Sequence, residues 1–179
     1  MITKIKSIFI LIFIFIEKLF DNFHRLIFGI PNIKRSQITS HLFLGSQFNK
    51  IGLKRLKALG VTAIINMRLH SDYEEALLQG IKYLHLPTED NTPPSLEDLK
   101  TGADFADREI RLGGVVYVHC RQGLGRGPTM AIAYLIKTGL TLVDAYTLVK
   151  KVRPFINPVQ SQMEKLKELE AYYYSISIM

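Results

Sequence analysis

The residues best suited to chemistry lie together in one short loop, Cys120-Arg-Gln-Gly-Leu-Gly-Arg126. The loop starts with the single cysteine of the chain and ends, six positions later, with an arginine. Its two glycines permit a tight backbone path on which several N–H groups point inward, and a helix that follows would add its positive dipole end. Such a loop is expected to bind an anion, and phosphate is the natural candidate.

Each residue type in this loop has a chemical role to fill. The positive field inside the loop favours the thiolate of Cys120, which is a candidate nucleophile for attack on phosphorus. The guanidinium of Arg126 can hold two phosphoryl oxygens in a planar fork and follow their charge into the transition state. If Cys120 were only a small buried apolar residue, the surrounding glycines, strand and helix would be a coincidence. The predicted phosphate-binding residues are Arg121, Gln122, Gly123, Leu124, Gly125 and Arg126.

The elements that must position this loop alternate between strand-like and helix-like patterns. From about residue 36 onward, short β-rich runs alternate with runs of helical periodicity, which is typical of an α/β protein. The loop lies between a predicted central strand at 115–119 and a helix from Pro128, where proline fits the first turn. We therefore predict a mixed, mostly parallel central sheet flanked by helices. Further strands are expected at 41–44, 61–66 and 81–86, and further helices at 53–59, from Ser95, at 142–152 and at 159–174.

The N-terminal third differs from the rest of the chain in charge and hydropathy. Residues 1–60 carry ten lysines and arginines against two acidic residues, although the whole chain has a net charge of only +7. An unbroken apolar run at 8–16 would span about 14 Å as a helix, which is short for a membrane crossing. An amphipathic stripe continues to residue 28, so the helix could also lie in the membrane interface. We predict an uncleaved membrane anchor and linker at 1–33 and a catalytic domain at 34–179.

These features lead to expectations about location and partners. The apolar N-terminal segment leads us to expect a membrane-associated protein. A single cysteine cannot form an intrachain disulfide, so we expect the catalytic domain to lie in the cytoplasm or another reducing compartment. The basic N-terminal third would add attraction to an anionic membrane surface. No nucleic-acid partner is expected, because the basic charge lacks an aromatic–basic platform. The five histidines lack metal-ligand spacing, so no metal or other cofactor is expected, and the protein is expected to be a monomer.

The loop and the residue before it resemble the His-Cys-x5-Arg signature of the protein-tyrosine phosphatase superfamily, with His119 preceding Cys120. The resemblance covers roughly residues 36–174 and implies the cysteine-phosphatase fold and a phosphocysteine intermediate. Landmarks that resemble the dual-specificity phosphatases lie at 38–46, 61–66 and 149–154. Stretches that are most similar to the mitochondrial-type phosphatases acting on phosphatidylglycerophosphate lie at 72–74, 86–90 and 96–102.

The resemblance also assigns a general acid and shows two departures from related loops. The family takes an aspartate from a neighbouring loop, and Asp90 in the stretch 88–94 matches that position, with Glu89 as the alternative. The residue after the arginine is usually serine or threonine, but here it is Gly127. Leu124 replaces the second basic residue found in inositide-specific relatives.

Three kinds of function stay open at this point. The substrate phosphate could belong to a membrane lipid such as phosphatidylglycerophosphate, which the apolar N-terminal segment favours. It could instead belong to phosphotyrosine or phosphoserine in a protein. The third alternative is a non-catalytic phosphate-binding module, which Gly127 suggests.

His119 is expected to order the loop by hydrogen bonding rather than to carry a proton, because Asp90 already fills that role.

Overall fold

The computed structural model describes residues 2–71 and 78–177, so the stretch 72–74 lies outside the described residues. The elements alternate between helix and strand from residue 42 onward, as the sequence predicts. The helices are α1 (Ile2–Phe28), α2 (Lys50–Ala58), α3 (Leu96–Arg111), α4 (Arg126–Lys137), α5 (Leu142–Val152) and α6 (Gln160–Ser177), with a short 3-10 helix at Ile33–Arg35. The strands are β1 (Leu42–Gly45), β2 (Ala63–Asn66), β3 (Lys82–His85) and β4 (Val116–His119).

The four strands form one sheet in the order β1-β4-β2-β3, and each neighbouring pair is parallel. The antiparallel part of the predicted mixed sheet is an isolated bridge between Gln37 and Phe43. His119, the last residue of β4, is in register with Gly45 on one side and Asn66 on the other. Because the strands run parallel, their carboxyl ends share one edge, and the loop that follows β4 opens there between two neighbours.

The loop is held between a fully buried strand and a buried helix. All residues of β4 are buried, and every residue of α4 from Arg126 to Ile136 is buried as well. Helix α4 packs against α3, α5, α6 and the sheet, so the residues at its start cannot shift without disturbing the core. The chain therefore places its reactive loop on rigid elements.

Helix α4 begins two residues earlier than the sequence predicts. Gly125 is its N-cap, and the N–H of Thr129 donates to the Gly125 carbonyl over 2.9 Å. Pro128 lies within the first turn, where its missing N–H has no intrahelical acceptor. The other boundaries agree with expectation to within about three residues. The Ser95 hydroxyl caps α3 by accepting from the Asp98 N–H over 3.0 Å.

Helix α1 is attached to the rest of the chain by its C-terminal half. Arg35 donates to both carboxylate oxygens of Glu17, each over 2.6 Å, and the guanidinium of Arg55 lies 4.6 Å from the ring centre of Phe28. The helix ends at Gly29, whose φ of +76° and close approach to Asn49 leave no room for a side chain. This half of the predicted anchor is therefore packed on the domain.

Residues 8–16 of α1 present apolar side chains to the surroundings. None of the helices in the described parts of the chain combines the length and hydropathy of a membrane span. The exposed stripe nonetheless continues along the docked half of the helix, so the helix is amphipathic there, as the sequence predicts. The large apolar residues of α1 that are exposed are Ile8, Phe9, Ile10, Leu11, Ile12, Phe13, Phe15, Ile16, Leu19, Phe20, Phe23, Leu26 and Ile27.

Candidate active site

The loop of residues 120–126, called the phosphate loop from here, is fixed by hydrogen bonds on its outer side. The carbonyls of Gln122 and Gly123 both accept from Arg153, over 3.1 and 2.9 Å. The Arg121 carbonyl accepts from the backbone N–H of Gln47, and the Leu124 carbonyl accepts from that of Asn157. A planar trans peptide directs its N–H away from its carbonyl, so the N–H groups of residues 122–125 face the inner side. This arrangement is the predicted anion-binding loop.

Cys120 lies on that inner side. Its sulfur accepts a hydrogen bond from the Gly123 N–H over 3.2 Å, and only 3% of the residue is exposed. Gly123 has a φ of +69°, and a Cβ there would stand 2.6 Å from the Gly45 carbonyl oxygen. A side chain at position 123 would therefore push the loop away from β1 and move the N–H that contacts sulfur.

Arg126 is the first residue of α4, and its guanidinium is held by three groups. One nitrogen, Nη1, donates to the Thr88 carbonyl over 2.7 Å and to the Met67 carbonyl over 3.4 Å. The other, Nη2, pairs with Asp90 Oδ1 at 2.9 Å. The side chain is 6% exposed, so its position is set by the protein rather than by solvent. A planar group fixed in this way suits two-point binding of phosphoryl oxygens.

The structure separates the two candidate acids. Both residues are exposed, but Asp90 lines the same cavity as Cys120 and contacts Arg126, whereas Glu89 is not among the described residues that line it. The loop that carries Asp90 is tied to α6, because the buried side chain of Gln162 donates to the Thr92 carbonyl over 2.9 Å. A Cβ built at Gly125 of the phosphate loop would stand 3.0 Å from the side-chain oxygen of Gln162, so Gln162 lies next to both loops.

Arg153 is a site residue that the sequence analysis did not assign. Its side chain has no solvent exposure and binds two phosphate-loop carbonyls, stacks at 4.4 Å on Phe155, and pairs with Asp21 of α1 at 2.8 Å. The sequence landmark at 149–154 ends with Arg153 and a proline, but nothing in the local sequence pattern indicates that Arg153 pairs with Asp21. An arginine with a fully buried fork-shaped head is well suited to fix several carbonyls at once.

His119 is buried beneath the phosphate loop. Its Nδ1 lies 3.2 Å from the Cys120 carbonyl, and its ring packs against Phe48 and Tyr117 at centre distances of 5.1 and 5.8 Å. Burial is the main cause that lowers the pKa of His119 to about 3, and the charge of Arg68 lowers it further. The ring is therefore neutral near pH 7, in agreement with a positioning role and not with proton transfer.

The cavity around Cys120 has a volume of about 260 Å³ and collects most of the predicted residues. Of the phosphate-binding set, Arg121, Gln122, Leu124, Gly125 and Arg126 line it, while Gly123 takes part through its N–H. Lys18 of α1 also lines this cavity, which the sequence analysis did not foresee. Nothing in the local sequence distinguishes Lys18 from the other charged residues of this helix.

The position after Arg126 keeps the departure seen in the sequence. A Cβ built at Gly127 would stand 3.5 Å from the Cys120 sulfur and 3.2 Å from Leu44. The nearest helical hydroxyl, that of Thr129, donates to the Gly125 carbonyl over 2.9 Å and so points at the backbone. Thr129 therefore does not replace the missing hydroxyl.

Known proteins with this pattern are phosphatases. The family model for the catalytic domain of dual specificity phosphatases matches residues 42–172. Mouse dual specificity protein phosphatase 1 is 35% identical over 138 residues, which is 75% of this chain and 37% of that protein. Tyrosine-protein phosphatase vhp-1 of Caenorhabditis elegans is 30% identical over 135 residues, 74% of this chain and 20% of that protein. The chain thus spans well under half the length of these curated relatives.

Solved structures give the same result at the level of the fold. The crystal structure of PTPMT1 superposes with a TM-score of 0.75 at 29% identity, covering 80% of this chain and 98% of that one. PTPMT1 in complex with PI(5)P gives a TM-score of 0.73. Tk-PTP in its active form gives 0.70 at 30% identity, covering 76% of this chain and 95% of that one. With the family pattern matched from β1 into α6 and the fold shared with solved members, the chain belongs to the dual-specificity phosphatases and is a cysteine phosphatase.

Proposed function

We propose that the protein hydrolyses the phosphomonoester of a membrane lipid, such as phosphatidylglycerophosphate, through a phosphocysteine intermediate. The observation that carries the proposal is the position of α1. The same helix exposes a long apolar surface and contributes Lys18 to the cavity that contains Cys120. A surface that enters the membrane would therefore bring the cavity close to lipid headgroups.

The chemical steps follow from the contacts of three side chains. The sulfur of Cys120 attacks phosphorus, and the bond to the leaving oxygen breaks while Arg126 holds the phosphoryl oxygens. Asp90 donates a proton to the leaving alkoxide and then, as a carboxylate, takes one from the attacking water. Water breaks the sulfur–phosphorus bond, which releases phosphate and restores the thiolate. A phosphate on Arg126 would compete with Asp90 for Nη2, which frees the carboxyl to face the leaving group.

The hydrophobic surface of α1 supports membrane association. Leu11, Phe15 and Leu26 are each at least 65% exposed, and burying apolar area yields roughly 25 cal/mol per Å². Contiguous apolar surface of this kind marks an interaction site on a soluble domain. The basic residues that surround it would add about 1 kcal/mol each near an anionic leaflet. The catalytic domain would then work at the surface of a membrane.

A second candidate is hydrolysis of phosphoproteins. It is favoured by the relatives named as dual specificity protein phosphatases, and Leu124 in place of a second basic loop residue does not oppose it. The lipid reading is favoured instead by the likeness to PTPMT1, which has been crystallised with the lipid phosphate PI(5)P.

The test is a direct comparison of substrates with purified full-length protein. Vesicles that carry phosphatidylglycerophosphate, vesicles that carry a phosphoinositide, and phosphotyrosine and phosphoserine peptides are offered at equal phosphate concentration, with Cys120→Ser as the inactive control. We expect the highest kcat/KM on phosphatidylglycerophosphate. A higher value on the peptides would assign the protein to the second candidate, and equal inactivity of wild type and control would leave only phosphate binding.

A further inference from the structure

We infer that Lys18 of α1 is a second anion-binding residue of the active site and selects phosphomonoesters that carry another phosphate group. The inference deepens the proposed function, because a lipid such as phosphatidylglycerophosphate has a phosphodiester next to its terminal phosphate. It makes the N-terminal helix part of the substrate site in addition to its role at the membrane.

Lys18 occupies a defined place in the fold. It is half-buried and lines the cavity together with Cys120, Arg121 and Arg126, and no other residue of α1 does so among those described. These cations come from two parts of the chain that are more than a hundred residues apart. The phosphate loop offers its own N–H groups and Arg126 to one phosphate, so Lys18 is available for a different group on the substrate.

Two contacts hold the helix turn that carries Lys18. Glu17 precedes it and binds Arg35 through two hydrogen bonds of 2.6 Å. Asp21 follows one turn later and pairs with Arg153, which binds the phosphate-loop carbonyls of Gln122 and Gly123. The position of Lys18 relative to the phosphate loop is therefore set by a short series of direct bonds. A lysine at the end of a loose tail would have no such constraint.

The charges around the cavity point to an additional anion. The lining residues include three cations, Lys18, Arg121 and Arg126, but Asp90 is the only carboxylate among the described residues that line it. Asp90 already pairs with Arg126. No ion pair within the described residues involves Lys18 or Arg121. A half-buried ammonium loses part of its hydration, and a substrate anion would restore that interaction.

The chemistry that Lys18 would recognise is shared by two kinds of molecule. One is a lipid in which a phosphodiester links the glycerol carrying the scissile phosphate to the acyl chains. The other is a soluble bisphosphate. The direction of α1 favours the lipid, because the helix continues on the N-terminal side of Lys18 with the largely exposed apolar run at 8–16. Acyl chains that leave the cavity near Lys18 would meet that apolar surface.

The test measures substrate preference with soluble compounds, so that membrane binding does not enter. Alkane-1,n-bisphosphates and alkyl monophosphates of equal chain length are compared for wild type, Lys18→Ala and Lys18→Arg. Lys34→Ala is the matched control, because Lys34 is an exposed lysine of the same basic segment and does not line the cavity. We expect wild type to prefer the bisphosphate by about tenfold in kcat/KM, the effect of one charge-assisted hydrogen bond.

The variants should change this preference and not only the overall rate. In Lys18→Ala the ratio of bisphosphate to monophosphate kcat/KM should fall towards one, chiefly through KM, while Lys18→Arg and Lys34→Ala keep it. A ratio that survives in Lys18→Ala would overturn the inference, and so would a parallel loss on both substrates.

A final arm uses short-chain phosphatidylglycerophosphate below its micelle concentration. If the preference for bisphosphates depends on Lys18 but the lipid is not hydrolysed, the subsite is retained and the lipid substrate is rejected. If the lipid is hydrolysed and Lys18→Ala does not slow the reaction, the lipid substrate is retained and the subsite is rejected.

Discussion

Asp21 and Arg153 form a buried ion pair that joins positions 132 residues apart. The Asp21 carboxylate accepts from Arg153 through one oxygen and from the Asn32 N–H through the other. Arg153 in turn binds two carbonyls of the phosphate loop. The N-terminal helix and the catalytic loop therefore share one polar network.

Replacing Asp21 with asparagine should destabilise the protein more than removing an exposed ion pair does. The change leaves the buried charge of Arg153 uncompensated, which costs about 3 kcal/mol or more. Glu17→Gln is the control, since Glu17 and Arg35 are partly exposed and their pair is worth about 1 kcal/mol or less. Urea unfolding of both variants gives the comparison. Equal losses would mean that the Asp21 pair does not stabilise the fold.

Two deletions should separate membrane binding from catalysis. Removing residues 2–16 takes away the apolar run but keeps Asp21, so hydrolysis of a small soluble ester should stay near the wild-type rate while vesicle flotation is lost. Removing residues 1–33 also removes Asp21, and soluble-ester hydrolysis should then fall. The reason is that Arg153 would lose its buried partner. Identical soluble activity in both deletions would show that the pair is not needed by the loop.

Asp90→Asn should slow turnover by about a hundredfold on alkyl phosphates, whose leaving groups need a proton. Aryl phosphates with good leaving groups should be affected much less. Glu89→Gln is the matched control, because Glu89 does not line the cavity. Steady-state kcat/KM over a series of leaving groups measures the contrast. If Glu89→Gln shows this dependence and Asp90→Asn does not, Glu89 is the acid.

Gly127→Ser should speed the hydrolysis of the phosphocysteine intermediate. The new Cβ would stand 3.5 Å from the Cys120 sulfur, within reach of a hydroxyl hydrogen bond to the departing thiolate. Leu44 must yield slightly, since its nearest atom would be 3.2 Å away. Gly127→Ala introduces the same crowding without the hydroxyl and is the control. Burst kinetics measures the step, and equal rates in the two variants would show that the hydroxyl does nothing.

His119 should make the protein less stable as the pH falls. Its folded-state pKa is lowered to about 3, whereas the unfolded chain titrates near 6.5, so the unfolded state binds the extra proton between these values. Stability is therefore full above pH 6.5 and declines on acidification, by roughly 1 kcal/mol at pH 5.5. Urea unfolding at pH 7.5 and 5.5 should show this loss in wild type and a smaller one in His119→Asn. A loss of the same size in His119→Asn would assign it to other groups.

The sequence predicts the local parts of this site better than its long-range contacts. The loop between β4 and α4 follows from glycine spacing and strand and helix patterns, which are properties of neighbouring residues. Asp90 follows from resemblance, and the structure places its carboxylate against Arg126. The start of α4 at Arg126 was missed because Pro128 is the obvious first-turn marker, although Gly125 is the actual cap. Boundaries of this kind are set by single hydrogen bonds.

The roles of Lys18 and Arg153 could not be predicted from local patterns. Lys18 looks like an ordinary charge in an amphipathic helix until the fold brings α1 next to the phosphate loop. Arg153 looks like a C-terminal helix charge, yet its side chain is completely buried. The surroundings of both side chains depend on how α1 packs against the rest of the chain. That contact joins segments that are far apart in the sequence, and residue periodicity predicts only local structure.

The single cysteine has a consequence for oxidative inactivation. Cys120 is exposed by only 3%, but the cavity gives small oxidants such as peroxide a route to its sulfur. Oxidation would produce a sulfenic acid, and this chain offers no second thiol to trap it as an intramolecular disulfide. Recovery must then use a small thiol such as glutathione, or closure onto a backbone nitrogen. The reversibility of inhibition would thus be decided by the thiol supply of the compartment.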